Sequence, residues 1–190
     1  NITVFDYLSE EFIRLQEKTD AVCGAMETAE ELDDLLERYQ LLLDEAQSID
    51  ADNYERNIQR QLRLAELDGK ADLELSKLSG GEYKLVQVIR QMLRYPGLLI
   101  MDEPDVFLDF ENLTGLGDLI NAYEGTLLVI THSRYLLGRC FDKIWHLENC
   151  GLQEFDGTFL EYNYSLLQGK IELQEATQAK DAEIRRKEEM

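Results

Sequence analysis

Four consecutive apolar residues, Leu98-Leu99-Ile100-Met101, are closed on one side by Pro96-Gly97 and on the other by Asp102-Glu103-Pro104. A short apolar run bounded by turn residues reads as a buried parallel strand, and a proline ends such a strand. Just upstream, Leu78-Ser79-Gly80-Gly81-Glu82 opens a helix that should run from near Gly80 to about Leu93, with Val86, Ile89 and Leu93 facing inward. Downstream, the pattern predicts a helix over about Glu111 to Tyr123 and a second apolar strand at Thr126 to Ile130. A short helix follows at Arg134 to Cys140, then a strand at Ile144 to Leu147. Asn149-Cys150-Gly151 suggests a hairpin turn into a strand at Leu152 to Phe155. Strand-helix-strand alternation of this kind implies an α/β fold with crossover connections.

The flanks read differently. Residues 1–77 predict helices, with stripes at Phe5, Leu8, Phe12 and Leu15, at Leu32, Leu35, Leu36, Tyr39, Leu42 and Leu43, and at Tyr54, Ile58, Leu62 and Ala65. Asp68-Gly69 should end the third helix, and acidic faces lie between the stripes. Thr158 with Glu161 fits a capping box, and from there one long helix continues to Met190. The expected organisation is a helical subdomain over 1–77, a partial parallel sheet with helices over 78–157, and a long C-terminal helix over 158–190.

Charge restricts what such a chain meets. Lys and Arg number 19 against 39 Asp and Glu, a formal charge of −20. A chain this acidic repels a phosphate backbone as a whole, so direct nucleic-acid binding by this segment is not expected. No apolar run approaches the roughly 20 residues of a membrane span, so no membrane partner is expected. Three cysteines without metal-ligand spacing, Cys23, Cys140 and Cys150, fit reduced thiols in a cytoplasmic protein.

The chemistry concentrates in three places. Two glycines at a helix start let backbone N–H groups approach an anion, and Ser79 adds a hydroxyl donor; the plainer alternative is a serine N-cap with a glycine turn. Asp102 and Glu103 sit at the C-terminal end of a strand, where open α/β sheets bind ligands. An Asp there suits Mg²⁺, often through water, and the adjacent Glu suits an attacking water. His132 follows the next strand, at Val129-Ile130-Thr131-His132, on the edge expected to carry Asp102 and Glu103. His146 lies within a strand and reads as structural. Leu108-Asp109 should lie in a loop at a domain contact.

Together these motifs resemble the ATP-binding cassette (ABC) ATPases over nearly the whole chain. Ser79, Gly80, Gly81 and Glu82 look like the signature motif, Leu98 to Glu103 like Walker B, Leu108-Asp109 like the end of the D-loop, and His132 like the switch histidine. In that family two cassettes face each other head to tail. The resemblance implies that Ser79 to Glu82 act on ATP held by a partner cassette, while Asp102 (Mg²⁺), Glu103 and His132 serve ATP of their own. Thr3 to Leu8, Thr131 to Leu137, Phe155-Asp156-Gly157 and Tyr162 to Ser165 are similar to segments of the ABC-F subfamily. Its members carry two cassettes in one chain and act on the ribosome in translation, some in antibiotic resistance. The implied cofactors are ATP and Mg²⁺, and the implied partners a second cassette of the same parent chain and the ribosome.

Two departures accompany the resemblance. Asp105-Val106-Phe107 stands where the family usually has Thr-Asn-His, and no Gly-x-x-x-x-Gly-Lys-Ser/Thr loop occurs in the 190 residues. The segment is therefore expected to be the back part of one cassette plus the beginning of a linker, inactive by itself. Three other readings compete. A transporter nucleotide-binding subunit would need no linker helix. An SMC-type lobe usually places its two motifs further apart, behind a long coiled coil. A non-enzymatic interaction module is compatible with an excised piece.

Overall fold

The computed structural model describes residues 1–29 and 31–188, with side chains up to residue 179. The chain forms two compact units, residues 1–131 and 132–190. The expected linker helix extends to residue 190, and its last two positions lie outside the described residues.

The first unit begins with a cap. The Thr3 hydroxyl accepts from the Asp6 N–H, and the Asp6 carboxylate accepts from the Thr3 N–H, at 3.1 Å each, starting α1 (Val4–Met26). The Thr3 hydroxyl and the Thr3 backbone N–H beside the Asp6 carboxylate hold it below its ordinary pKa. The expected stripe is found, with Val4 rather than Phe5 fully covered beside Leu8, Phe12 and Leu15. α3 (Tyr54–Leu64) packs on this face through Ile58 and Leu62, with Tyr54 stacked on Phe12 at 5.2 Å. Glu66, at φ 57°, ends the helical path before Asp68-Gly69.

α2 (Asp33–Ser48) forms the helix expected on the leucine stripe. The helix nevertheless buries no residue, and Leu36 is 53% exposed. The reason is that α2 packs on α1 and on the short 3₁₀ turn Ala51–Asn53. This packing covers one flank of the α2 stripe and leaves the rest in water.

α4 (Gly80–Met92) supplies Leu85, Val86, Ile89 and Met92 to the core shared with α1 and α3. Two charged contacts fasten its far end to α1: Arg90 to Glu10 at 2.6 Å and Arg94 to Glu11 at 2.5 Å. Arg90 also lies over the Tyr7 ring at 4.2 Å. β1 (Leu98–Asp102) then pairs in parallel with β2 (Thr126–Ile130), from Leu98↔Thr126 to Asp102↔Ile130, across α5 (Phe110–Ala122). β1 was expected to be buried throughout. Instead Met101 is covered while Leu98 and Ile100 are 52% and 58% exposed. With β2 as its one hydrogen-bonded neighbour among the described residues, this strand shows the alternation of a half-covered sheet.

The second unit holds α6 (Arg134–Cys140), β3 (Lys143–Glu148), β4 (Gly151–Asp156) and α7 (Phe159–Glu188). β3 pairs antiparallel with β4, closing a separate two-stranded sheet rather than extending the parallel pair. Asn149 and Cys150 both take positive φ, 50° and 60°, between the paired Glu148 and Gly151. A two-residue loop of this kind matches the twist of a hairpin. The Thr158–Glu161 capping box forms as expected. Tyr162, on the first turn of α7, is covered by His146 and Phe155, with ring centroids 5.8 and 5.6 Å away. His146 thus packs as a structural residue. Among the described residues no helix is long and apolar enough to cross a membrane.

One position tests the packing of α5. A Cβ on Gly115 would sit 2.7 Å from the Ala65 carbonyl oxygen, a backbone atom that cannot swing aside. Gly115→Ala is expected to destabilise the chain by about 1–3 kcal/mol. Gly24→Ala, in α1 with nothing within 4 Å, should instead stabilise by about 0.5–1 kcal/mol. Urea denaturation of the two variants beside the parent chain reads both signs.

Candidate active site

Ser79 stands at the N-cap of α4 in extended backbone geometry, φ −65° and ψ 163°. Its hydroxyl oxygen accepts from the Glu82 N–H at 3.3 Å, and the Glu82 carboxylate accepts from the Ser79 N–H at 2.7 Å. The serine is thus an N-cap as well as a possible donor, since the accepting oxygen still carries its proton. By helix geometry the N–H groups of Gly80 and Gly81 have no partner within the helix and point along its axis, where an anion would sit.

Glu82 is held from a second side by the Lys70 ammonium. This bond, followed by the one from the Ser79 backbone, depresses the Glu82 pKa below its ordinary value. Glu82 therefore acts as a brace for the helix start. Gly81 has a packing role of its own, because a Cβ there would lie 2.7 Å from Nδ2 of Asn112 on α5. Asn112 donates from both its backbone N–H and its Nδ2 to the Asp109 carboxylate, at 2.9 Å each. Asp109, expected as a loop residue at a domain contact, is the N-cap of α5. Leu108 before it is half-buried.

The strand end is built differently. Asp102 closes β1 opposite Ile130, and its side chain is exposed. Glu103 then turns into the left-handed region at φ 45°, and its N–H donates to the Ile130 carbonyl at 2.8 Å. Phe107, four residues on, is also left-handed at φ 66° and is 96% exposed. Left-handed backbone at a residue with a side chain costs roughly 1–3 kcal/mol and persists where surrounding bonds hold it. Here the bonds are visible. Lys84 on α4 donates to the carbonyls of Glu103 and Val106, at 3.1 and 3.0 Å. The Thr131 hydroxyl donates to the Asp105 carboxylate at 2.5 Å.

The first unit therefore brings together the capped start of α4, the acidic end of β1 and the loop 103–109. His132 opens the second unit, directly before Ser133, the N-cap of α6. Reading it as a switch histidine rests on its sequence position. Sequence reasoning missed Lys84, Asp105 and Thr131. Asp105 figured there only as a departure from a family pattern. Lys84 left no signal, because its partners are backbone carbonyls that no residue pattern displays.

The family profile described as "AAA domain, putative AbiEii toxin, Type IV TA system" matches residues 20–138. The chain belongs to this AAA-type ATPase family. Among similar proteins, the energy-dependent translational throttle protein EttA of Haemophilus influenzae is 37% identical over 122 residues, 63% of this chain and 20% of that protein. The EttA of Mycobacterium tuberculosis is 30% identical over 163 residues, 86% of this chain and 28% of that protein. The protein named as the uncharacterized ABC transporter ATP-binding protein YfmR of Bacillus subtilis is 32% identical over 110 residues, 57% of this chain and 18% of that protein. The chain thus spans between 18% and 28% of the length of these relatives. A solved ATP-binding cassette of an ABC transporter aligns with a TM-score of 0.46 at 23% identity, covering 55% of this chain and 43% of that one.

The Glu82 brace has a pH signature. Its folded pKa lies below the ordinary 4.5, so its stabilisation is fully present above that value and is lost as pH falls through the depressed one. Glu82→Gln keeps a carbonyl for Ser79 but loses the charge toward Lys70. At pH 7 it should cost about 1 kcal/mol, and the gap to the parent should close as the solution is acidified below pH 4. Thermal melts across pH 3 to 7 measure that gap.

Proposed function

We propose that this chain is the back part of one cassette of an ABC-F-type ATPase that couples ATP binding and hydrolysis to work on the ribosome. The observation that carries the enzymatic reading is the exposed Asp102-Glu103 pair at the end of β1, fastened to the capped signature helix within one unit. The ribosomal branch is supported by the EttA relatives, one of which aligns over 86% of the chain.

In this reading Ser79, Gly80 and Gly81 present a hydroxyl and N–H groups to the γ-phosphate of ATP bound by a second cassette. Glu82 holds that helix start in place. Glu103 orients and polarises the attacking water on its own side, and His132 senses the γ-phosphate there. Leu108 and Asp109 close the loop at the cassette contact.

The donor set fits Mg²⁺ of the phosphate-bound type. Among the described residues no cluster of three or more His, Cys, Asp or Glu forms a metal cage. A magnesium that keeps its waters and phosphate ligands needs one or two carboxylates, and Asp102 is exposed at the strand end to serve as one. When bound, the ion would neutralise charge on the β- and γ-phosphates.

The intact protein is expected to be cytoplasmic. A transporter nucleotide-binding subunit is the second reading, since ABC transporter ATP-binding proteins are named among the relatives.

Three outcomes follow. Glu103→Gln in the full-length protein should lower steady-state ATP turnover by at least about 10²-fold, the range for losing acid–base assistance, while ATP binding survives. That variant should co-sediment with ribosomes through a sucrose cushion in an ATP-dependent way. Recovery with membranes would favour the transporter. The isolated chain should bind MgATP weakly or not at all by titration calorimetry, because a phosphate loop makes most contacts to the β- and γ-phosphates.

A further inference from the structure

We propose that Lys84 is a positioning residue for hydrolysis, linking the signature helix to the carboxylate of Glu103. The inference rests on the reading of Glu103 as the water-orienting group. Lys84 lies two residues past Glu82 on α4, the helix whose N-terminus Ser79 caps. Its ammonium reaches 19 and 22 residues along the chain to the carbonyls of Glu103 and Val106.

The two left-handed residues of the loop, Glu103 at φ 45° and Phe107 at φ 66°, bracket those carbonyls. A residue in the left-handed region aims its side chain differently from one continuing the strand. Whatever fixes the Glu103 backbone therefore fixes the direction in which its side chain leaves the chain. Two neutral acceptors on one cation make a charge-assisted clamp that needs no carboxylate partner. The Glu103 N–H to Ile130 and the Asp105–Thr131 bond hold the same loop from the β2 side.

Lys84 is the fastener on the α4 side, which gives it a second consequence. The signature motif faces ATP bound by the other cassette, and Glu103 faces ATP of its own. Lys84 thus joins the helix that begins at the signature motif to the loop that begins at Glu103.

The test is steady-state ATPase kinetics of the full-length protein with Lys84→Met, Lys84→Arg, Glu103→Gln and the Lys84→Met/Glu103→Gln double variant. Lys84→Met removes the cation and keeps the length. It should lower kcat about 10-fold or more, with KM for ATP within about 3-fold of the parent. Lys84→Arg, which can still donate to both carbonyls, should recover most of the rate. In the Glu103→Gln background, Lys84→Met should change the residual rate by less than 2-fold, because Lys84 acts through Glu103.

Melting temperatures of all four variants separate loss of fold from loss of rate. If Lys84→Met melts early, the Arg rescue and the double variant still decide. An effect confined to KM, a full second decrement in the double variant, or failure of Lys84→Arg to rescue a folded protein overturns the proposal. If Glu103→Gln is inactive and Lys84→Met turns over like the parent, the Lys84 inference alone falls. If Glu103→Gln turns over normally, the reading of Glu103 falls with it.

Discussion

The sharp exit of the chain from β1 governs the rest of the site. A parallel strand delivers its last residues to the edge where ligands gather, but its direction would carry them onward into solvent. The chain leaves that path at Glu103 by a left-handed turn, and Pro104, buried directly after it, allows no further ladder bond. Such a turn is unfavourable by itself. It holds because a strand, a helix and a neighbouring loop each contribute a bond: Ile130 from β2, Lys84 from α4 and Thr131 just past β2. Remove the helical packing that aims Lys84 and the turn loses its bonds from α4. The core of Leu85, Val86 and Ile89 thereby sets where Lys84 meets the loop.

The signature segment shows how one motif satisfies two demands. Ser79 and Glu82 form a reciprocal cap, so the helix start is stable without a ligand. The same geometry leaves the first N–H groups aimed outward. Gly81 is small to admit Asn112, whose amide fills the space where a Cβ would stand. Asn112 in turn fixes Asp109, so the end of the 103–109 loop and the start of α4 are packed against one another.

Much of this was legible in the residues. The strands at Thr126–Ile130 and Leu98–Asp102 and the short helix at Arg134–Cys140 follow from apolar runs between turn residues, because strand length and turn chemistry are local properties. Asn149-Cys150 announced a hairpin for the same reason. Burial was less legible. The apolar run of β1 read as buried, yet it is half open, and the leucine stripe of α2 is open as well, since periodicity reports which face is apolar and not whether a neighbour covers it. The exposed row Leu160, Tyr164, Leu167 and Ile171 on α7 makes the same point. At the site, Ser79, Asp102, Glu103 and Asp109 were named from motif and resemblance. The clamp was not, because it joins a side chain to backbone carbonyls distant in sequence.

The most direct measurement is a crystal structure of the full-length Glu103→Gln protein with ATP, at a resolution that defines peptide orientation. The account predicts residue 103 with positive φ and the Lys84 ammonium within hydrogen-bond distance of the carbonyls of residues 103 and 106. Ser79 and Gly81 should face the γ-phosphate of ATP held by the opposing cassette. Residue 103 continuing in extended geometry, with Lys84 turned to solvent or to another partner, would contradict it.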